Sequence, residues 1–525
     1  MHSSVSGDGG SRVDSTAAAY AKSKGDACAQ SVWGVSHVII AAIVADIALY
    51  FALHGPLALF TAVILALCVG LAVTVVFRLV VCVISLLRNP QIEVSEAQIE
   101  STLRDSLPLY TILVPLYREA NVAGSIIGAL SRLRYPRELL DIKLLLEEDD
   151  KLTLDAVNAL ELGQEFDRVL VAPSYPRTKP KACNHGLIRA RGEFVVIFDA
   201  EDRPEADQLL KAVYAFRNAA PDVACLQAKL NYYNARENFI TRSFAIEYTA
   251  WFDMVLPGLQ SLGAPIPLGG TSNHFRAKVL QDLGGWDPFN VTEDCDLGIR
   301  LALSKYRTLL LDSTTWEEAN TEVGNWIRQR SRWVKGYLQT HLVHTKHPLA
   351  LLKALGPLRA MYFGLTVGGV AAMQLLNLLL WPMSLVYFGL LAFDLMEGRD
   401  AWTVVAGHRD EYRVAWKMLF LGPGEDPVWS RISLVAFYTS VSMFFANALF
   451  IFTNLLACRR RGYHDLLVTA LLSPAYWTLA SLAAWKGAFQ LIRRPHFWEK
   501  TTHGLSSVSG LSQDGLSLPA VQESH

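Results

Sequence analysis

Five long apolar runs, at residues 32–53, 57–87, 361–393, 432–458 and 466–485, leave this chain few ways to fold. About 20 apolar residues, rising ~1.5 Å each, cross the ~30 Å hydrocarbon core of a bilayer. The first two runs therefore predict two transmembrane helices joined by a tight turn at His54-Gly55-Pro56. The run at 361–393 carries no charge, exceeds one ordinary span, and holds Asn377 and Pro382 near its middle; it predicts a tight helical hairpin. Residues 432–458 and 466–485 predict two more spans, the second broken near Ser473-Pro474, for about six in all. Six spans place Arg459-Arg460-Arg461 on the far side from a domain inserted after the second, against the bias of cationic loops. A single tilted span over 361–393, or a re-entrant 466–485 segment, removes that conflict. Asp46 and Arg78 are costly in lipid and are expected to face protein or snorkel.

Between the runs the chain changes character. Hydrophobic residues make up 51% of the 525-residue chain and charged ones 18%, and the apolar share is concentrated in the runs. Residues 93–345 read as a soluble domain. Apolar stretches at 110–116, 142–146, 169–172, 194–198 and 223–226 alternate with helical patterns at 122–133, 155–162 and 206–217. That alternation predicts an α/β, doubly wound, largely parallel sheet. Residues 1–31, rich in Ser, Gly and Ala, predict a disordered tail with no signal peptide. Two membrane helices over 32–88 follow it. A membrane and interfacial region of about four spans covers 346–493, including a mixed, partly amphipathic segment at 394–431. Residues 494–525 end in a polar tail, disordered from about Ser506. A net charge of −1 gives no basic field for nucleic acid. The seven cysteines show no CxxC pair, and no disulfide is expected.

The stretch EFVVIFDAEDRPE, residues 193–205, carries the densest chemistry. Its apolar core reads as a buried strand that runs into Asp199, Glu201 and Asp202. Open α/β sheets bind ligands at the carboxyl ends of their strands. Asp199 and Glu201, two apart, suit Mg²⁺ or Mn²⁺ shared with a diphosphate; the alternative is an acidic loop in which Asp202 caps the next helix. Other expected strand ends and loops carry Glu119, the acids Glu147-Glu148-Asp149-Asp150, Lys181, Gly270-Thr271, Thr292-Glu293-Asp294, and Gln329-Arg330-Ser331-Arg332-Trp333. Each has a plainer reading. The acids at 147–150 fit a solvated turn and Lys181 a surface lysine. Thr292 fits an N-cap with acids in the first turn, and residues 328–335 fit an interfacial helix on acidic lipid.

The order of these motifs between two N-terminal and several C-terminal spans resembles the membrane-embedded family 2 glycosyltransferases, among them cellulose, curdlan, mixed-linkage glucan, chitin and hyaluronan synthases. The resemblance covers roughly residues 30–503; Thr292-Glu293-Asp294 and Gln329-Arg330-Ser331-Arg332-Trp333 are its most specific parts. It implies a GT-A type doubly wound mixed sheet domain inserted between transmembrane α-helices. Glu119, Glu148 and Asp149 would line a uridine pocket, with Lys181 near the nucleotide. Asp199 and Glu201 would hold Mg²⁺ or Mn²⁺ against the diphosphate. Asp294, flanked by Glu293, would be the general base on the acceptor hydroxyl. Gln329, Arg330 and Arg332 would bind the leaving diphosphate. Trp333 would stack on the acceptor sugar, with Gly270 and Thr271 beside it. Trp498, Lys500 and Thr501 would form a loop closing over the nucleotide; an interfacial Trp-Lys anchor is the alternative. The chain departs from the family in having Glu201 where Asp is usual and four successive acids at 147–150. No cyclic-di-GMP-binding domain is expected after the last span.

The implied activity is inverting, processive polymerisation of a UDP-sugar, UDP-glucose above all, into a β-linked polysaccharide exported across the plasma (inner) membrane from a cytoplasmic domain. Expected partners are the growing polysaccharide and membrane lipid, alongside homo-oligomers or accessory export proteins. The rival is transfer of one sugar to a lipid acceptor, as in glucosylceramide synthases, and a further rival is a transporter or receptor that only binds the nucleotide sugar.

Overall fold

A computed structural model describes residues 14–398 and 427–507. Eight strands form one mixed sheet: β1 (Tyr110–Leu116), β2 (Leu140–Glu147), β3 (Phe166–Val171), β4 (Phe194–Ile197), β5 (Arg203–Pro204), β6 (Val223–Tyr232), β7 (Asn273–Arg276) and β8 (Arg307–Glu317). Their order is β3-β2-β1-β4-β7-β6-β8-β5. β1 lies between β2 and β4, parallel to both, with Tyr110 opposite Leu140 on one side and Phe194 on the other. The chain adds β2 and β3 on one side of β1 and β4 on the other, and this reversal of strand order opens a crevice at the carboxyl ends of the strands. β7 runs antiparallel to both β4 and β6. It carries the polar Asn273 and His274, both buried, and so has no apolar run to announce it. β8 loses its apolar character after Leu311 and is equally hard to read.

Alternation along β1 feeds two cores. Ile112 and Val114 pack with Leu144 and Val196 beneath the Ala123–Leu130 and Gln208–Asn218 helices. Leu113 faces the other way, with Leu145, Val195 and Leu187, and this second core takes in Val81 and Cys82 of the Pro56–Arg88 helix. The approach there is close: a Cβ on Gly258 would fall 2.0 Å from the Val81 carbonyl oxygen. Only glycine lets the second apolar helix pack directly into the sheet domain.

Four helices among the described residues are long and apolar enough to cross a membrane: Val35–His54, Thr61–Arg88, Pro357–Gly389 and Phe437–Arg460. The expected hairpin at 361–393 is instead one continuous helix with Pro382 inside it. An interior proline removes one helical hydrogen bond but does not reverse a chain. Leu380 beside it is held by Leu71, Val75 and Met443, which keeps the helix running straight through the expected turn. The charge conflict disappears with the hairpin. Arg461 returns to the sheet domain, donating to Asp253 at 2.7 Å and to Thr314 at 3.1 Å. The last expected span is a bent pair, His464–Leu471 and Ser473–Arg493, meeting at 64°. Its start is tied to the domain by Asp465–Arg236 (2.7 Å) and the chain after it by Thr502–Asn325 (3.2 Å), so both ends lie on the domain side.

Asp253 is buried and serves two cations, Arg461 and Lys229, the latter at 3.3 Å. Asp253→Ala leaves both with one fewer counter-charge. We expect a loss of about 3–5 kcal/mol, read as a lower unfolding midpoint in detergent, with Asp253→Asn intermediate.

The N-terminal tail is ordered where it is described. Ser15–Lys24 is a helix whose Asp14 side chain accepts from the Thr16 and Ala17 amides. Its Ala17 and Tyr20, with Cys28 and Ala29, are buried against Phe289 and Val343. Too short to build a core, the segment gains one by docking, which periodicity does not reveal. Residues 1–13, most of the mixed 394–431 segment and the tail beyond Ser507 lie outside the described residues. Asp46 is exposed on a helix that buries none of its apolar window within this chain.

Candidate active site

β1, β2 and β4 end side by side, and a cavity of about 370 Å³ opens there and continues down between the membrane helices. Of the residues singled out in the sequence, Glu119, Asp199, Glu201, Gly270, Glu293, Asp294, Gln329, Arg330, Arg332, Trp333 and Lys500 all line it. Sheet topology brings the acids together; the Val323–Thr345 helix supplies the Gln-Arg-Trp group from the opposite wall.

Four expected residues stand elsewhere. Lys181 is fully buried, held by Glu147 at 3.2 Å and by the Ala172 carbonyl, and does not line the cavity. Lys179, one helical half-turn earlier, takes the place assigned to it: its ammonium meets Asp199 at 2.5 Å and donates to the Gly270 carbonyl at 2.7 Å. In the first turn of a helix, positions two apart face different ways, and only the tertiary packing shows which of the two lysines faces the crevice. Glu148 and Asp149 are exposed at the rim, Asp149 paired with Arg177 at 2.6 Å; the acid that enters is Glu147, the last residue of β2. Thr271 is buried, donating to Asp202 and to the Ile197 carbonyl, so it braces the acidic loop rather than facing the acceptor.

Arg330 lines the cavity but is already engaged. Its guanidinium forms a two-pronged pair with Glu247, one bond at 2.8 Å, and also donates to Tyr476. Arg332, by contrast, makes no ion pair or hydrogen bond through its guanidinium among the described residues, and it lies 5.1 Å from the Trp498 ring centre. Trp333 stacks near Tyr248 with ring centres 6.0 Å apart.

Glu293 and Asp294 open the Glu293–Leu303 helix, so the helix-start reading of this motif also holds, although Thr292 makes no side-chain cap. The Cys295 amide donates to Asp294 Oδ1 at 2.8 Å, leaving Oδ2 for the cavity; a Cβ on Gly270 would lie 3.5 Å from it. Burial lifts both carboxyls above their ordinary range, and the charge of Asp294 adds to the rise at Glu293, which is pushed up to about 7. A base with a raised pKa is lost as pH falls through it. Turnover is therefore expected to drop about tenfold per pH unit below the transition, checked as a pH profile of kcat/KM in the full chain.

The acidic loop fits a divalent cation. Ligand atoms of Glu119, Glu201 and His503 all lie within 4.8 Å of one another, a hard oxygen set completed by one imidazole. Burial would raise Glu201, but His503 at 3.0 Å and then Lys500 outweigh it and hold the carboxyl down at about 2. Burial and the charges of Asp199 and Glu201 push Asp202 well above the carboxylate range, with Oδ1 unpartnered. Asp202 accepts the Asp199 amide at 2.7 Å and so braces the loop itself; it does not cap the next helix, which begins at Gln208 after Asp207. His503 was not picked out in the sequence, though it stands three residues beyond Lys500.

The segment after the bent pair straps these groups in place. Trp498 lies against Arg332, Lys500 pairs with Glu119, His503 with Glu201, and the Gly504 amide donates to Glu318 at 2.8 Å. Two charged contacts of this kind each carry about 1.5–3 kcal/mol. Ending the chain after Pro495 is expected to raise the donor KM by roughly tenfold or more, measured with a nucleotide-sugar titration.

Residues 194–485 match the model of the family described as "Glycosyl transferase family group 2". The chain is similar to the "Beta-monoglucosyldiacylglycerol synthase" of Nostoc sp., 30% identical over 251 residues, covering 46% of this chain and 52% of that one. It is 25% identical over 242 residues to the "Probable glucomannan 4-beta-mannosyltransferase 7" of Oryza sativa, covering 44% of this chain and 41% of that protein. The chain thus spans about half the length, or less, of these curated relatives. Among solved structures, the mannosyltransferase PcManGT of Pyrobaculum calidifontis, in complex with GDP-Man and Mn²⁺, aligns at 19% identity and a TM-score of 0.40, over 74% of this chain and 99% of its own.

Proposed function

This chain belongs to the glycosyl transferase family group 2, and from that premise we propose that it is an inverting, divalent-metal-dependent enzyme that transfers glucose from UDP-glucose to a saccharide held among its membrane helices, processively building a β-linked polysaccharide. The observation that carries this reading is the continuity of the cavity. The same space is lined by Asp199 and Asp294 at the sheet and by Asn377, Asn447, Trp477 and Ser481 among the membrane helices. Amide, hydroxyl and indole groups at that depth suit a hydroxyl-rich chain, which cannot cross lipid without such a lining.

In this mechanism the acceptor hydroxyl gives its proton to Asp294 Oδ2 as its oxygen attacks the anomeric carbon. The bond to the diphosphate oxygen breaks on the opposite face, inverting the centre. Arg332 and Lys179 neutralise the departing charge. Glu119, Glu201 and His503, with Asp199 near them, would hold a divalent cation, which would add to that neutralisation. Gly270 keeps the space beside Asp294 open, and Trp333 presents an apolar face to a pyranose.

A lipid acceptor is the second reading, favoured by the similarity to a monoglucosyldiacylglycerol synthase. Sizing the product from membranes given a panel of UDP- and GDP-sugars tests both. A saccharide ladder indifferent to added diacylglycerol supports the polymerase, and a single lipid-linked sugar overturns it. A cytoplasmic domain in the plasma membrane is part of the proposal, supported by the return of Arg461 to the domain side.

A further inference from the structure

At its membrane end the cavity contains a charge that the described residues do not balance. Arg78 stands within the second apolar helix, about 15 Å along the axis from Arg88. It lines the same cavity as Asp294. Its guanidinium lies 4.7 Å from the Phe450 ring centre, its Nε is buried without a hydrogen-bond partner, and among the described residues it makes no ion pair. The carboxylate within electrostatic range is Glu247, which is already held by Arg330 and accepts from Tyr476 at 2.8 Å. A cation kept at this depth is costly unless something pairs with it.

The neighbouring wall is also incomplete. Thr366, 4% exposed, has an unpartnered Oγ1, and Gln374 an unpartnered Oε1; both line the cavity. The leaving diphosphate does not explain Arg78, because the donor end has Lys179 and Arg332 for that charge.

We propose that Arg78 binds an anionic group, a carboxylate or a phosphate ester, carried by the acceptor saccharide, with Thr366 and Gln374 bonding the hydroxyls around it. This rests on the reading that the cavity holds a saccharide acceptor. With a neutral hexose as donor, the chain that is added is itself neutral, so the acid belongs to the starting end of the acceptor.

The test is equilibrium binding to the full-length protein in nanodiscs, without turnover. The probes are cellotetraose, its C6-oxidised tetraglucuronate, and cellotetraose 1-phosphate. Wild type is expected to bind one of the acidic probes at least about tenfold tighter than cellotetraose. R78Q should bring that probe to the neutral level while leaving cellotetraose within about twofold, and R78K should keep part of the preference. Preference for the 1-phosphate assigns the acid to the acceptor's starting end; preference for the tetraglucuronate keeps the anion site but overturns the neutral donor. Retained UDP affinity shows that the variants fold. Equal affinity of wild type for all three probes, no binding of any, or equal weakening of neutral and acidic probes by R78Q overturns the proposal. Failure of the transfer reading would show separately, as turnover indifferent to Asp294→Asn with these binding ratios intact.

Discussion

Asp294→Asn is expected to lower glycosyl transfer by about 10²- to 10⁴-fold with donor affinity nearly unchanged. Oδ1 is taken by the Cys295 amide, so proton acceptance falls to Oδ2, which faces Gly270 across the cavity. An amide there keeps the shape and the Cys295 contact but cannot take a proton at neutral pH. The effect should appear in kcat, with nucleotide binding retained by equilibrium titration. A chain that merely binds or transports a nucleotide sugar would be untouched by this change. Glu293→Gln should be milder. Glu293 is 6% exposed and is raised by burial and by the charge of Asp294, so its replacement leaves the proton acceptor in place and should cost less kcat.

The second large effect is expected at Arg332. Arg332→Ala should cost about 10²- to 10³-fold in kcat, and Arg330→Ala should instead lower stability. The two arginines are separated by one residue in sequence but meet different fates. Arg330 is spent on Glu247 and Tyr476, joining three helices, whereas Arg332 lines the cavity with no ion pair or hydrogen bond to its guanidinium among the described residues. Steady-state kinetics set beside thermal melting separates the cases: R332A should melt as wild type with low turnover, and R330A should melt early. Arg332→Lys should rescue little, because a lysine offers one ammonium where the guanidinium offers a planar fork.

The parallel half of the sheet was legible because β1, β2 and β4 are short, predominantly apolar stretches, as strands buried on both faces tend to be. The acids that follow them were legible for the same reason: a run ending in charge marks a strand end, and strand ends are where such sheets bind ligands. β7 was hidden because two of its three buried positions are Asn273 and His274, polar groups whose partners come from elsewhere in the fold. The N-terminal segment was hidden because Ala17 and Tyr20 find their apolar surroundings on a distant part of the chain.

By itself, then, the sequence determined the alternation of membrane and soluble segments, the α/β class and the set of acids and bases available for chemistry. These depend on the local period and length of apolar runs. Only the tertiary structure decided that Lys179 rather than Lys181 meets Asp199, that Glu147 enters the cavity while Glu148 and Asp149 do not, that Arg332 is open while Arg330 is closed, and that residues 361–393 form no hairpin. Each of those outcomes turns on which partner lies across a crevice some tens or hundreds of residues away, and a one-dimensional pattern carries no record of that distance.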